Sequence, residues 1–354
     1  KCYDMMKKWV EYQNSTDRRN YGVRTVDGKE VPEQSDLATI PYIQVQQCRG
    51  DHLTYDNSTP YIYSATAYAA HSADILRRTA YILGKTDDEK RYTELFENIK
   101  RAFNDAWVND DGSVSYYGEV SSQTAHCGES VALDGSVTRY TYYAENTPHC
   151  PSQTAYALAV DFDLIPQDKL KNTRKYFKNS ILRNNGKLTV GFLGISHLAP
   201  ALSKVGLDDV AFKLLEQEDN PSWLYSVKNG ATTIWERWNS YIAETGTFGD
   251  VSMNSFNHYS YGAIGQWFFT DILGIRPVEF GYKSFMLAPK FGGGLTYAKG
   301  SFTSPYGKIS SAWKLHDGKF TYDCTVPTNT TATLKLPNGD IHTLVGGSYL
   351  FEFN

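Results

Sequence analysis

The sequence predicts a mainly α protein, in which antiparallel helical hairpins curl into an incomplete toroid and a small antiparallel β-sandwich follows. Three observations predict it. Amphipathic segments of period 3.6 come in consecutive pairs. The connections between pairs are long and unequal. That suits hairpins whose loops gather over one concave face better than a regular open solenoid. From about Pro277 the apolar period falls to 2, as strands require. The chain of 354 residues therefore divides into a helical domain, 1–276, and a β domain, 277–354. A six-hairpin (α/α)6 toroid needs twelve helices, and about eight can be read.

In chain order, Tyr3 to Gln13 places Tyr3, Met6, Trp9, Val10 and Tyr12 at helical spacing. Residues 14–60 are rich in Gly, Pro, Asp and Asn, without period, and read as a long connection of the kind that often carries function. It contains Gly50-Asp51-His52. Tyr61 to Leu83 reads as a helix stopped by Gly84. Thr86-Asp-Asp-Glu89 reads as a capping box for a helix with Tyr92, Leu95, Phe96, Ile99 and Phe103 on one face. Asn109 to Pro148 is a polar Gly/Ser/Tyr insert expected to be loop. Ser152 to Leu164 is helical, and Pro166 is expected to open the next helix, with Leu170, Phe177 and Ile181 inward. Gly191-Phe-Leu-Gly194 reads as a tight turn, Ile195–Val205 and Asp208–Glu218 as a hairpin split at Gly206, and His258–Leu273 as a last, buried helix. Beyond it Phe320, Tyr322, Cys324 and Val326 alternate with polar residues, as do Ala332, Leu334 and Leu336. Asp317-Gly318 and Asn338-Gly339 are hairpin turns. A toroid lacking hairpins leaves helix faces uncovered, above all on the Tyr3–Gln13 helix or the last helix.

Composition narrows the function classes. Net charge is −4 and no long basic run occurs, which argues against nucleic acid. No apolar run reaches the ~18 residues of a membrane span. Five cysteines are scattered without CxxC pairs or zinc spacing, so no metal, cofactor or disulfide framework is expected. The 26 tyrosines and 7 tryptophans suit a carbohydrate site, and equally suit helix interfaces. The chain starts at Lys1 inside an amphipathic pattern, which reads as a piece of a longer or processed protein. No signal peptide is seen, so the N-terminus does not tell periplasmic, secreted and cytoplasmic placement apart.

The stretch Ala231–Trp267 carries the chemistry. Glu236 sits between Trp235 and Arg237, with Trp238 beyond, and Asn254-Ser-Phe-Asn-His258-Tyr259 follows. A carboxylate among indoles suits a glycosidase: flat apolar faces meet a sugar ring and a partly dry site tunes the acid. The same residues also fit a buried Trp pair with Glu236 ion-paired to an arginine. In an extended reading Trp235 and Trp238 point away from the side Glu236 faces, or to each side of a bend. Asn254 reads as a turn or cap residue, Glu244 and Asp250 as solvated loop acids.

TTIWERW followed by MNSFNHYSYGAIGQW resembles the bacterial α-L-rhamnosidases of glycoside hydrolase family 78. SATAYAAHSADILRRTAYILGK, SQTAYALAV, LTVGFLGISHLAPALS and GYKSFMLAPKFGGGLTYAKGSFTSPYGKISSAWK match family segments in order, so the resemblance spans essentially the whole chain. It implies an (α/α)6 catalytic barrel with a C-terminal β domain, and hydrolysis of terminal α-L-rhamnosides with inversion. Rhamnose-containing glycosides or polysaccharides would be the substrates. It implies that Glu236 is the general base, that His258 contributes to the rhamnose pocket, and that Trp238 and Trp235 help wall the sugar. Asp51 and His52 lie near the site by the same resemblance.

Two departures matter. The family's general acid sits in a DxRxERxGW-type motif that this chain lacks, so the acid is expected in a missing N-terminal portion and the chain alone is expected to be inactive. Where the family often has Gly-Asp-Trp, this chain has Gly50-Asp51-His52, which bears on the sugar taken. The alternatives are an inactive carbohydrate-binding remnant or another (α/α)6 glycosidase.

Overall fold

A computed structural model describes residues 2–15, 23–26, 29–32, 41–44, 50–55, 59–115, 126–131, 137–142 and 151–353, the strands within 23–32 and 126–142 by backbone alone. The elements run α1 (Tyr3–Gln13), β1 (Val23–Val26), β2 (Lys29–Pro32), α2 (Tyr61–Ile82), α3 (Thr86–Trp107), β3 (His126–Val131) and β4 (Val137–Tyr142). Then come α4 (Gln153–Asp161), α5 (Leu170–Leu182), α6 (Phe192–Lys204), α7 (Asp208–Leu215), α8 (Trp223–Lys228), β5 (Tyr241–Ile242) and β6 (Thr247–Phe248). A final helix, α9, joins a 3₁₀ turn Ser260–Ile264, an α turn Gly265–Trp267 and a π turn Phe268–Ile272.

The helices form two layers. α2, α4, α6 and α9 stand side by side in succession, while α3 packs on α2, α5 on α4 and α7 on α6. This is a curl of hairpins, as a toroid requires. α4 is buried along Gln153–Val160, because it has a helix on either flank and α5 at its back. Its small residues, four of them alanine or threonine, allow that close approach. α3 shows the opposite pattern: Tyr92, Phe96, Ile99 and Phe103 face the core and charged residues face outward. α1 buries Tyr3 and Val10 but leaves Met5, Trp9 and Tyr12 exposed, the uncovered face expected on that helix.

Several expectations are corrected. Nine helices stand among the described residues; α8 was not legible. Thr86 is the first helical residue rather than a cap, and no side chain caps α3. Asp87, Asp88 and Glu89 fill the first turn, where the helix dipole favours negative charge. Asp88 ties α3 to α1 by accepting from Tyr3 Oη (2.7 Å) and Lys7 Nζ (2.8 Å). Pro166 heads a turn before α5, with Lys169 N donating to its carbonyl. The polar insert contains the β3–β4 ribbon, paired from His126–Tyr142 to Val131–Val137. Arg49, Cys48 and Cys150 lie outside the described residues; Cys2 and Cys324 are free thiols.

The C-terminal domain holds two four-stranded sheets. One runs β14 (Gly347–Phe353), β11 (Lys319–Val326), β10 (Gly307–His316), β9 (Tyr297–Ser304). The other runs β13 (Ile341–Leu344), β12 (Thr331–Lys335), β8 (Ser284–Leu287), β7 (Ile275–Pro277). All pairs are antiparallel except β8 with β12. The predicted alternation buries Phe320, Tyr322, Cys324 and Val326 together with Phe285, Leu287, Ala332 and Leu334. Asp317 and Gly318 join β10 to β11 with positive φ at both positions, 49° and 77°, the two-residue turn whose twist suits a hairpin. Trp313 Nε1 donates to Ile272 O (2.9 Å) and Ser311 Oγ to Leu273 O (2.7 Å), so the β domain caps the end of α9.

Candidate active site

Glu236 is held by strand-like pairing of two irregular segments. Its amide donates to Ser255 O (2.8 Å), and the amide of His258 donates to Ile234 O (2.8 Å). Ser255 N returns a bond to Glu236 Oε2 (2.7 Å). The residue is 8% exposed, and its Oε1 has no hydrogen-bond partner among the described residues. One carboxylate oxygen is thus held by a backbone amide. Asn254 Nδ2 donates to Ser240 O (2.8 Å), a bridge between two segments rather than the local turn or cap bond expected of it.

Arg237 turns away from Glu236. It gives Nε to Met253 O (2.7 Å) and a terminal nitrogen to Asp250 Oδ2 (2.9 Å). The ion pair that holds this loop is therefore with Asp250, not with Glu236, and Asp250 is a structural acid. Hydrogen bonds from Ser252 hold the Asp250 carboxyl below its ordinary range, with Arg237 adding to the effect.

The two indoles do not wall the carboxylate. Trp238 is 3% exposed, stacked on Tyr261 (3.8 Å, 20°), with Nε1 donating to Val190 O (2.9 Å). Trp235 packs edge-on to Phe256 (5.1 Å). Both line a cavity of about 260 Å³ with Trp223, Arg237 and Tyr261, and Glu236 does not line it. Alternation along the chain puts Trp235 and Arg237 on the face away from Glu236, and the bend and turn over residues 236–239 bring Trp238 round to the same cavity. The indoles support the peptide that carries Glu236 from its opposite face.

Asp51 is also more committed than the sequence suggests. It is 6% exposed, and it caps α6 across the fold. Its Oδ1 accepts from the amides of Leu193 (2.9 Å) and Gly194 (3.0 Å), its Oδ2 from the amide of Gly191 (2.8 Å) and from Thr154 Oγ1. Gly191, the local cap residue, has no side chain to offer. Burial pushes the Asp51 carboxyl up while these bonds pull it down. A Cβ on Gly191 would lie 2.2 Å from His52 O, so only glycine admits the approach. Phe192 N donates to that same carbonyl (2.9 Å). The segment read as a tight turn is therefore the first turn of α6.

This clamp brings His52 and His258 to one aromatic ring. Phe192 stacks on the His258 imidazole (4.9 Å, 21°) and meets His52 (5.4 Å, 78°) and Tyr261 (5.4 Å, 75°) edge-on. Sequence reasoning missed Phe192. The only signal was an aromatic directly after a glycine that follows the β-branched pair Thr189-Val190. Among the described residues no cluster of His, Cys, Asp or Glu could hold a metal ion.

Residues 1–272 match the bacterial α-L-rhamnosidase six-hairpin glycosidase domain and residues 274–350 the bacterial α-L-rhamnosidase C-terminal domain. An α-L-rhamnosidase of Formosa agariphila is 33% identical over 97% of this chain and 32% of its own length. The α-L-rhamnosidase of Streptomyces avermitilis, solved with L-rhamnose, superposes with a TM-score of 0.77 at 31% identity, over 99% of this chain and 30% of that one. That of Aspergillus terreus gives 0.73 at 27% identity, over 99% and 36%. The chain spans about a third of the length of these relatives. With the layered hairpins, the capping β domain and the seated Glu236, these matches place the chain in the bacterial α-L-rhamnosidase six-hairpin glycosidase family.

Proposed function

We propose that this chain supplies the general-base half of an inverting α-L-rhamnosidase, acting on rhamnose-containing glycosides or polysaccharides. The observation that carries this reading is the Glu236 carboxylate: Oε2 is pinned by Ser255 N and Oε1 is unengaged among the described residues. A base must present one ionised oxygen to water on the face opposite the leaving group, ~6.5–9.5 Å from the acid. Pinning the other oxygen fixes that direction without rotational cost. His258 accepts at Nδ1 from Ser260 N (3.3 Å), so its neutral form carries the proton on Nε2 and offers a donor to a sugar hydroxyl. His52 would contact the sugar beside it. The general acid would come from protein outside these 354 residues. In this reading residues 1–276 form the catalytic unit and 277–354 its cap.

The test is Glu236→Gln in the longer protein. The amide keeps shape and hydrogen-bonding reach but accepts no proton. Loss of general-base assistance is worth ~10²–10⁴-fold in rate. Release of 4-nitrophenol from its α-L-rhamnoside measures it, and NMR identifies the anomer first formed. Turnover within threefold of wild type would remove Glu236 from the role, and a retained anomer would exclude inversion. The isolated chain should bind without turnover.

A further inference from the structure

We infer that Phe192 is a positioning residue: it holds the plane of the His258 imidazole, keeping Nδ1 in line with the Ser260 amide that sets the tautomer, and Asp51 acts through it. The inference rests on the reading of His258 as a rhamnose contact and deepens it. His258 is attached to a segment without regular structure, between the Ser255–Asn257 turn and the first turn of α9. Its ring has three contacts: the exposed Tyr259 ring next to it in sequence stacks at 5.4 Å and 11°, and two contacts come from groups that the fold itself holds in place. Ser260 N donates to Nδ1 (3.3 Å), which sets the tautomer. The Phe192 ring lies nearly parallel at 4.9 Å, which sets the plane. Among the described residues Nε2 has no hydrogen-bond partner, so it is the atom that the other contacts aim.

Phe192 itself does not depend on its own neighbours for placement. It is the first residue of α6, where a helix ordinarily frays. Here that turn is fixed by the Asp51 carboxylate on the amides of Gly191, Leu193 and Gly194 and by the His52 carbonyl on Phe192 N. Tyr261 closes the far edge of the ring at 5.4 Å. A chain of contacts thus runs from Asp51 through the helix start and the Phe192 ring to the imidazole. His52, edge-on to the same ring at 5.4 Å, is placed by the same device. Two imidazoles therefore share one apolar platform, and the platform gives their orientation to the site.

The experiment uses the 354-residue chain labelled with ¹⁵N-histidine. Long-range ¹H–¹⁵N correlations report the His258 tautomer, and its ring protons report the ring current of the stacked phenyl. L-rhamnose is titrated at the same resonances. In wild type, His258 should be the Nε2–H tautomer with its ring protons shifted upfield. Phe192→Leu should remove the upfield shift, mix the tautomers, and weaken L-rhamnose about three- to tenfold, the scale of one aromatic pair. Phe192→Tyr should restore all three readouts, which a merely structural defect would not allow. Phe192→Met, with similar volume and no ring, replaces the leucine variant if that one fails to fold. Unchanged His258 resonances in the ring-less variants would overturn the inference, as would unchanged L-rhamnose affinity. If wild type itself binds no L-rhamnose, the proposed function fails, while tautomer and ring-current shift still decide the positioning role.

Discussion

Replacing Asp51 by alanine should be far more costly than loss of an ordinary helix cap. A single N-cap substitution costs about 0.5–2 kcal/mol. Asp51, however, accepts four hydrogen bonds, three from backbone amides and one from Thr154. Gly191, Gly194 and Thr154 are buried, so their donors do not recover water freely. Each buried donor left unpaired costs about 1–3 kcal/mol. The terms are not additive, because water can enter the space the carboxylate leaves. We expect Asp51→Ala to lose about 3–5 kcal/mol in urea unfolding followed by tryptophan fluorescence. Asp51→Asn keeps one acceptor oxygen but turns a donor toward donors, and about 2–3 kcal/mol is expected on the same accounting. Amide exchange at Leu193 and Gly194 should accelerate in both variants, ahead of exchange in α3. A loss below about 1 kcal/mol for the alanine variant, with exchange at Leu193 unchanged, would show that α6 does not depend on this cap.

Gly191→Ala should cost about 3 kcal/mol by the same measurement, since its Cβ meets backbone atoms of Asp51, His52 and Thr54 that cannot yield; a neutral effect would refute the close approach. Lysine and tyrosine hydrogen bonds hold the Asp88 carboxyl below its ordinary value, Lys7 first and Tyr3 second. A depressed folded pKa gives stability that is present above the unfolded carboxylate range and is lost as pH falls through the folded value. Exchange of the α1 amides should therefore rise on acidification before that of α4, and Asp88→Asn should remove this pH dependence. Trp313→Phe leaves the Ile272 carbonyl without its indole donor and should cost about 1–3 kcal/mol. Its further consequence should be separate unfolding of the β domain and the helices, read as two calorimetric transitions where wild type gives one.

The sequence determined whatever depends on near neighbours along the chain. The face of α3, the arrest of α2 at Gly84, the alternation in β11 and the Asp317-Gly318 turn all follow from backbone hydrogen bonding and side-chain period. These act over a few residues and leave a pattern that can be read. Glu236 stood out as a candidate because the motif around it resembles a known family. Tertiary structure alone decided which groups those patterns bring together. The α6 start looked like a turn because its cap is not at Gly191 but 140 positions earlier, at Asp51. Arg237 stood next to Glu236 in sequence, yet side chains of adjacent residues in an extended segment diverge, and its charge found Asp250. Trp235 and Trp238 line one cavity that Glu236 does not, Trp235 by alternation and Trp238 because the chain turns just after Arg237. Phe192 left almost no trace in the sequence. Its meaning lies in two histidines, 140 residues before it and 66 after it, and only the packing of α6 against α9 and the Asp51 loop makes them neighbours.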